Sequence, residues 1–347
     1  PQIEMYRRMV SGQLAELIGK KGIPSDVRSR VAGYHKAAET NVPLLSARAR
    51  DFLTWYAEGL NAFIETRQHE IPAEMKLMGL DEIKPWTLAD MLSFHYLIGS
   101  IHGTNTRDEL LSLAIGQELG VEALSILLPV NQNPDRNGPA RVSGYEGLIE
   151  SDGADTELTH APGSLDDFGG QTPPVFGSNN WAIAPQKSTS GHAILASDPH
   201  LDVRQLPGPM YPVGLFAPGI NAIGITMAGL PGLVIGRTDH VAFGATNGYG
   251  DSQDTYLEEP DPDHPGNYLE GHSSLPFQLS TETIRVKTKD GFIDHKIEVR
   301  KTRRGPVISD HPAFGIEEGQ IVSLRYSGLE KSATEIGMDR FLTARSA

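Results

Sequence analysis

The amino-acid sequence predicts an α+β protein, because helical patterns come first along the chain and strand patterns come after them. Residues 1–130 carry apolar side chains at helical spacing, whereas residues 178–347 contain short strand-like runs. Residues 131–177 show neither periodicity and are rich in glycine and acidic residues. We therefore divide the 347-residue chain into a helical part (1–130), a linking segment (131–177) and a strand part (178–347).

Two helices of the helical part are predicted from apolar periodicity alone. The first has Ile3, Tyr6, Val10, Leu14, Leu17 and Ile18 at helical spacing. The second has Phe52, Trp55, Leu60 and Phe63. We expect both apolar faces to pack into the core.

Two further helices are predicted from their end signals. Thr87, with Asp90 three residues later, is typical of a helix N-cap. This third helix should break at Gly103-Thr104-Asn105. The fourth should run from about Asp108 to Leu119 and end at Gly120, the residue type that most often follows a helix.

The linking segment is strongly acidic. It contains eight acidic residues and two arginines, a net of six negative charges out of 14 in the whole chain. A loop this long is rare inside a compact domain unless it is functional, a linker or disordered. Two interpretations follow, a surface linker and a spacer that is removed during maturation.

The strand part begins with several short apolar runs. The predicted strands are Trp181–Ala184, His192–Ala196, Ala222–Thr226, Leu233–Ile235 and Val241–Phe243. Later, the runs 283–286 and 292–299 flank Lys289-Asp290-Gly291, which predicts a hairpin with a glycine-containing turn.

Composition excludes several classes of function. A net charge of −14 argues against a nucleic-acid partner, since such proteins carry a basic face. The absence of cysteine excludes disulfides, thiolate metal sites and cysteine nucleophiles. No apolar run reaches the length of a membrane span. The chain starts at Pro1 with no signal peptide, so we expect a fragment or a processed form.

The common catalytic motifs do not occur in this sequence, and one weak metal motif does. We find no P-loop, no dinucleotide-binding glycine motif, no H-E-x-x-H and no G-x-S-x-G. His200 and Asp202 form an H-x-D pair that a strand would place on one face, at plausible metal-ligand spacing. A metal-dependent hydrolase that uses this pair is therefore an alternative function.

The bond between Gly177 and Ser178 is more informative, because the acidic segment ends there and a strand begins. A serine is a poor nucleophile unless a base lies within hydrogen-bond reach. Cleavage before Ser178 would make its own α-amine the base, with a reference pKa of about 8. A glycine at position 177 would tolerate the strained backbone of an N→O acyl shift.

With these features, the sequence resembles the penicillin acylase (penicillin amidase) family of N-terminal-nucleophile hydrolases. The resemblance covers nearly the whole chain and rests on several motifs in the family's order. These are Gln13–Gly19, Tyr56–Phe63, Pro85–Thr87, Ser178–Trp181, Ala196–Leu201, Leu230–Gly236 and Phe243–Asp251. The resemblance implies an αββα core that begins at Ser178 and is incomplete in this chain.

The resemblance also implies a mechanism. Ser178 matches the nucleophile, which is freed when the precursor cuts itself after Gly177 and becomes a heterodimer of α and β subunits. The mature enzyme would hydrolyse N-acyl amides, such as β-lactam antibiotics or N-acyl homoserine lactones, through an acyl-Ser178 intermediate. A non-catalytic relative that acts as a binding module remains a further alternative.

Two more positions match residues near the nucleophile. His200 matches a position that would orient or polarise the α-amine, and its alternative interpretation is a histidine packed at a strand end. Asn247 matches the residue whose backbone N–H forms half of the oxyanion hole. The other half is expected beyond residue 347, so we do not expect this chain to be active alone.

The resemblance further implies a structural calcium ion and no organic cofactor. Asp251 and Asp254 match calcium ligands, and carboxylates in a glycine-rich turn suit this oxygen-seeking cation. The third ligand best matches Glu109, with the adjacent Asp108 as a competitor. The ion would hold the α and β subunits together.

The predicted acyl pocket departs from that of penicillin G acylases. Leu201 and Ile235 stand where those enzymes have phenylalanine, and His102-Gly103 stands at the position of their gating aromatic residue. Aliphatic and small residues disfavour edge-to-face packing on a phenyl ring, so we expect an aliphatic or otherwise non-phenylacetyl acyl group. The resemblance implies a periplasmic or secreted location.

Overall fold

The fold is known from a computed structural model, in which helices precede strands along the chain. This order confirms the α+β class. The structure describes residues 2–67, 70–103, 105–127, 177–201, 208–248, 250–316, 319–332 and 336–346. All of the linking segment except Gly177 lies outside these ranges, so its interpretation as a spacer stays a prediction, as do the domain boundaries.

Ten α-helices occur in the described residues, nine of them before the linking segment. They are α1 (Gln2–Val10), α2 (Ala15–Ile18), α3 (Ile23–Ala32), α4 (Tyr34–Asn41), α5 (Ala47–Arg67), α6 (Ala73–Leu77), α7 (Leu88–Gly103), α8 (Thr106–Leu119), α9 (Val121–Leu127) and α10 (Met338–Thr343). No described helix is both long and apolar enough to cross a membrane.

The helix ends that were predicted around α7 and α8 are confirmed. The Thr87 N–H donates to Asp90 Oδ2 at 2.8 Å, and the Asp90 N–H donates to Thr87 Oγ1 at 3.1 Å. This reciprocal cap satisfies N–H groups that the first turn would otherwise leave unpaired. α7 ends at Gly103, and α8 ends before Gly120, whose φ of 85° suits a glycine.

The predicted buried face of α5 is partly wrong. Trp55 and Phe63 are each 66% exposed, whereas Ala49, Leu53 and Ala57 form the buried stripe. Trp55 follows Leu53 by two residues, which places it about 200° around the helix, on the opposite side. The apolar spacing indicated a helix correctly but not which side of it faces the core.

The strands of the described residues form five separate antiparallel sheets. The strands are β1 (Gly177–Ile183), β2 (Ile194–His200), β3 (Met210–Ala217), β4 (Ile220–Met227), β5 (Ile235–Thr238), β6 (Ala242–Phe243), β7 (Gln253–Leu257), β8 (Glu259–Pro260), β9 (Asn267–Glu270), β10 (Ser273–Pro276), β11 (Gln278–Thr288), β12 (Gly291–Lys301) and β13 (Val322–Tyr326). The sheets are β1-β2, β3-β4-β5-β6, β13-β7, β10-β9-β8 and β11-β12.

The predicted hairpin is confirmed and is longer than the sequence indicated. Thr288 pairs with Gly291, so β11 and β12 are joined by a tight turn. Along the hairpin, Ile284, Val286 and Val299 are buried in one cluster with residues of α3. The hairpin therefore packs directly against the helical part.

Strand β3 was missed, and the strand that was predicted at Leu233–Ile235 begins only at Ile235. β3 contains Pro212 and Gly214, two residue types that are depleted in strands. It forms because it lies at the edge of its sheet, where a missing backbone N–H can be tolerated, and β4 is its one partner among the described strands.

Helix α7 links the main core to the candidate site. Met91 and Leu92 are fully buried in the largest helical cluster, and Phe94 packs with residues of β4 in another. The last residues of α7 reach the segment that leads into β7. One well-packed helix thus fixes the position of Gly103 relative to the strand part.

Candidate active site and cation site

Ser178 lies near the start of β1, on a two-stranded ribbon with β2. The register places Ser178 opposite Pro199 and Gly177 opposite His200. Because side chains alternate along a strand, Ser178 shares one face of the ribbon with Asn180. On that face the Ser197 hydroxyl donates to Asn180 Oδ1 at 2.5 Å.

The segment after β6 packs on this same face of the ribbon. A Cβ added to Gly244 would lie 3.0 Å from Asn180 Oδ1 and 3.0 Å from Ser197 Oγ, so only a glycine fits here without displacing neighbours. Asn247 follows three residues later in an irregular, half-buried stretch. The structure thus brings the chain that carries Asn247 toward the face that carries Ser178, and the oxyanion role of the Asn247 N–H stays a prediction.

His200 pairs with Gly177 across the ribbon, so it is close to the Gly177–Ser178 bond along the strand. Its side chain lies on the ribbon face opposite to that of Ser178. Its Nε2 is 3.0 Å from Asp198 Oδ2, and both side chains are exposed. Asp198 is thus the acidic partner that the structure gives to His200. Asp202 lies outside the described residues, so the alternative metal pair of His200 and Asp202 stays untested.

The four predicted pocket residues lie on three elements. His102 and Gly103 end α7, Leu201 follows β2 directly, and Ile235 begins β5. Burial lowers the pKa of His102, which favours its neutral form. A Cβ on Gly103 would lie 2.2 Å from Ser252 Oγ, so this position has no room for any larger residue. The pocket itself stays a prediction.

The three predicted cation ligands come together. Oxygen atoms of Glu109, Asp251 and Asp254 all lie within 4.8 Å of one another. Glu109 comes from the first turn of α8, Asp251 comes from the segment that leads into β7, and Asp254 is the second residue of β7. Asp108 is exposed and is not part of this acidic cluster. The helical part and the strand part therefore each contribute carboxylates to one point.

Glu109 also joins the two parts by direct hydrogen bonds. Its Oε2 accepts the backbone N–H and the hydroxyl of Thr255, each at 2.7 Å. Burial raises the pKa of Glu109, the two Thr255 hydrogen bonds lower it, and the nearby Asp254 and Asp251 carboxylates raise it again. A carboxylate in this position would be stabilised by a positive charge.

Asn105 belongs to this cluster and was missed from the sequence. Its amide nitrogen donates to Glu109 Oε1 at 3.1 Å and to Asp251 Oδ1 at 2.6 Å. Its Oδ1 is buried and has no hydrogen-bond partner among the described residues. Asn105 is the residue before α8, one helical turn before Glu109, and that spacing was the available signal.

Comparison with known protein families identifies the family of this chain. A model of the penicillin amidase family matches residues 1–347. The chain belongs to the penicillin amidase family. This confirms the family resemblance that the sequence motifs indicated.

Named acylases of the penicillin amidase family match most of this chain. An acyl-homoserine lactone acylase of Pseudomonas aeruginosa is 30% identical over 321 residues, 89% of this chain and 36% of its own length. The penicillin acylase 2 proenzyme of Pseudomonas sp. strain SE83 is 29% identical over 97% of this chain and 42% of its own length. Penicillin G acylase of Escherichia coli is 24% identical over 82% of this chain and 39% of its own length.

This member of the penicillin amidase family spans about two fifths of the length of those relatives. Among solved structures, thermostable penicillin G acylase from Alcaligenes faecalis matches with a TM-score of 0.34 and 22% identity. That match covers 43% of this chain and 25% of the solved chain.

Proposed function

We propose that this chain belongs to an amidohydrolase precursor that cleaves itself between Gly177 and Ser178 and then hydrolyses N-acyl amides. The observation that carries the proposal is the position of this bond. The bond lies at the first residue of β1. The segment that leads to Asn247 packs on the face of the ribbon that carries Ser178. The acylase names of the relatives support the same reaction class.

The proposed self-cleavage needs only groups of this chain and water. Ser178 Oγ attacks the carbonyl carbon of Gly177, the Oγ proton passes to the Ser178 nitrogen, the C–N bond to Ser178 breaks, and an ester replaces the peptide bond. Water then hydrolyses the ester, which leaves a Gly177 carboxylate and a free Ser178 α-amine. The match to a protein named a proenzyme supports such processing.

Cleavage matters because a peptide nitrogen cannot act as a base. Its lone pair is delocalised into the carbonyl group, whereas a free α-amine has a reference pKa of about 8. The new amine accepts the Ser178 Oγ proton as Oγ attacks the substrate amide carbon. The proton then passes to the leaving amine, and water releases the acyl group from Ser178.

Two neighbouring residues would assist this reaction. The backbone N–H of Asn247 would donate to the oxygen that becomes negative in the tetrahedral intermediate. His200, held by Asp198, would orient the α-amine directly or through water. Because the His200 side chain lies on the other ribbon face in the uncleaved chain, its role requires movement of the new amino terminus toward it.

The substrate is proposed from the pocket residues and the names of relatives. Those relatives are called acyl-homoserine lactone acylase and penicillin acylase, and both names describe amide substrates. Leu201 and Ile235 favour an aliphatic acyl chain over a phenyl ring. Comparing hydrolysis of phenylacetyl and medium-chain N-acyl substrates by the full-length enzyme tests this, and a strong phenylacetyl preference would contradict it.

We also propose a structural calcium ion at Glu109, Asp251 and Asp254. Three carboxylates with oxygen atoms within 4.8 Å of one another fit a hard cation that takes six to eight oxygen ligands. The ion would hold the α and β subunits together after cleavage. Export to the periplasm or the medium remains part of this proposal and rests on the family resemblance.

Mass spectrometry of purified full-length protein tests the proposal directly. A subunit that begins at Ser178 is expected, together with loss of most of the acidic linking segment. An intact, inactive chain would favour the non-catalytic alternative. Activity that is lost with chelator and independent of Ser178 would favour the metal-dependent one.

A further inference from the structure

A basic cavity lies at the junction of the helical part and the strand part. It has a volume of about 630 Å³ and lies between α4 on one side and the ends of β12 and β13 on the other. None of the described residues that line it belongs to the candidate active site or to the acidic cluster. It is therefore a separate feature of the molecule.

The cavity is positively charged, although the chain as a whole is acidic. Among the described residues, its lining has one carboxylate, that of Glu330, and six cations. The cations are Lys36, Lys301, Arg303, Arg304, Arg325 and Lys331. Such a concentration of one charge in a concave site attracts ions of the opposite sign.

The three arginines have acidic partners, and the three lysines have none among the residues that the structure describes. Arg304 pairs with Glu258 at 2.6 Å, Arg325 pairs with Glu330 at 2.5 Å, and Arg303 pairs with Glu270. No ion pair joins any of the three lysines to a carboxylate among the described residues. The cavity therefore contains three lysines that form no direct ion pair with a carboxylate of the described residues.

Lys301 is the most enclosed of these lysines. Burial lowers its pKa, the neighbouring Lys36 ammonium lowers it further, and Glu282 raises it. Two ammonium groups that disfavour each other in a half-buried site are stabilised when an anion lies between them.

The turn that carries these basic residues is held in place. Lys301 pairs with Pro306, and the Thr302 N–H donates to the Gly305 carbonyl at 2.8 Å. A Cβ on Gly305 would lie 1.9 Å from the Leu324 carbonyl oxygen, so the turn packs directly on β13. The basic side chains therefore extend from a fixed backbone.

Asn41 also lines the cavity, and its side-chain oxygen accepts no hydrogen bond from the described residues. It is 1% exposed, and its amide nitrogen donates to the Tyr96 hydroxyl at 2.9 Å and the Glu330 carbonyl at 3.3 Å. Because a carbonyl oxygen can only accept, this contact fixes the amide orientation. Asn41 Oδ1 is left buried without a partner among the described residues, so it would be satisfied by a ligand that donates a hydrogen bond.

We propose that this cavity binds a small doubly charged oxyanion that carries a hydrogen-bond donor, as monohydrogen phosphate or a phosphate monoester with a hydroxyl group does. The anion lies between Lys36 and Lys301, and the donor serves Asn41 Oδ1. Because α4 and β12 form opposite walls, the bound anion also ties the helical part to the strand part.

Calorimetric titration of the full-length, calcium-saturated enzyme at about pH 7.5 tests this. Inorganic phosphate and glycerol 3-phosphate are the probes, and sulfate is the matched dianion that has no donor. We expect one of the phosphates to bind, and sulfate to bind at least about tenfold more weakly than it. Whichever phosphate binds more tightly identifies the free or the esterified anion as the better ligand.

Two variants and one control place the binding in this cavity. Lys36→Gln, on the exposed side of α4, and Lys301→Gln should each raise the Kd at least about tenfold. Lys289→Gln, an equally conservative change at the exposed tip of the β11-β12 hairpin, should leave it within about twofold. No binding at about 10 mM of either phosphate would overturn the proposal, as would a Kd that neither cavity variant changes. Equal binding of sulfate would overturn the role of Asn41.

Discussion

The β1-β2 ribbon and the α7-α8-β7 junction carry different tasks and are built differently. The ribbon carries Ser178 and His200, and three of its large apolar residues are exposed, namely Trp181, Ile183 and Ile194. At the junction, Gln253 is 3% exposed and donates to both oxygens of Ser100, at 2.8 and 2.9 Å. The proposed reacting groups thus lie on a strand pair held chiefly by its own ladder, whereas the junction is held by buried side chains.

This difference suggests separate roles for the two regions, the ribbon in the proposed reaction and the junction in holding the helical and strand parts together. A two-stranded ribbon has little stability of its own, so its geometry depends on what covers it. The junction joins the helical and strand parts by direct hydrogen bonds, such as those of Glu109 with Thr255. Changes in the ribbon should therefore affect activity, and changes in the junction should affect stability and cation binding.

The strongest response is expected in the ribbon. Ser178→Ala removes the proposed nucleophile, so kcat/KM of the full-length enzyme should fall at least about 10³-fold. Mass spectrometry should also find the peptide bond after Gly177 intact in this variant. Ser188→Ala, in the connection between β1 and β2, is the matched control and should retain cleavage and activity. Activity of the Ser178 variant close to wild type would show that the ribbon does not carry the chemistry.

The next response is expected in the junction. Gly103→Ala places a methyl group 2.2 Å from Ser252 Oγ, so the free energy of unfolding should fall by about 1–3 kcal/mol. Gly59→Ala in α5 meets no atom within 4 Å and should be neutral or stabilising by up to about 1 kcal/mol.

Denaturant unfolding of the full-length protein measures both glycine variants. Adding Ser252→Ala to Gly103→Ala should recover part of the loss, because the hydroxyl that clashes is gone. If the two glycine variants behave alike, the junction is not as tightly packed as the contact indicates.

A more modest effect concerns the proposed cation. Glu109→Gln removes one of three clustered carboxylates, so calcium affinity should fall at least about tenfold. Asp108→Asn changes the adjacent exposed acid and should leave affinity unchanged. The rise of the melting temperature with added calcium measures this, and a larger effect at Asp108 would identify that residue as the ligand.

The smallest expected effect is a pH dependence of folding stability that arises from Asp26 in α3, outside both regions. Burial raises the pKa of Asp26 to about 6, against hydrogen bonds from Ala15 and Leu14 and the charge of Arg30 that lower it. The folded state therefore holds a proton that the unfolded state has lost above about pH 4. Stability from this group is present at low pH and is lost as the pH rises, by about 1 kcal/mol between about pH 5 and 6.

Asp26→Asn removes this titration, so its stability should change less over the same pH interval. Chemical unfolding at several pH values checks the difference between the variant and the wild type. A steeper dependence in the variant would contradict the pKa shift of Asp26.

Local signals allowed much of the fold to be predicted. The cap at Thr87 and Asp90, the break after Gly103, the end at Gly120 and the hairpin turn after Thr288 depend on residues close in sequence. Each of these features is decided by hydrogen bonds or backbone angles within a few residues. That is why they could be located without knowledge of distant contacts.

The failures have the opposite cause. Trp55 and Phe63 are exposed because the packing partners of α5 lie on its Ala49–Leu53–Ala57 side. β3 forms in spite of Pro212 because it is an edge strand. Neither the buried side of a helix nor the edge of a sheet is encoded by the segment itself.

Residue types in a fixed order along the chain were enough to predict the α+β order, the family, the position of Ser178 after Gly177 and the three clustered carboxylates. Three other features required the folded chain. Asn105 bridges Glu109 and Asp251, His200 faces away from Ser178, and unpaired lysines meet in one cavity. Burial, strand register and charge pairing arise from groups far apart in sequence, and the distances between those groups are set only when the chain has folded.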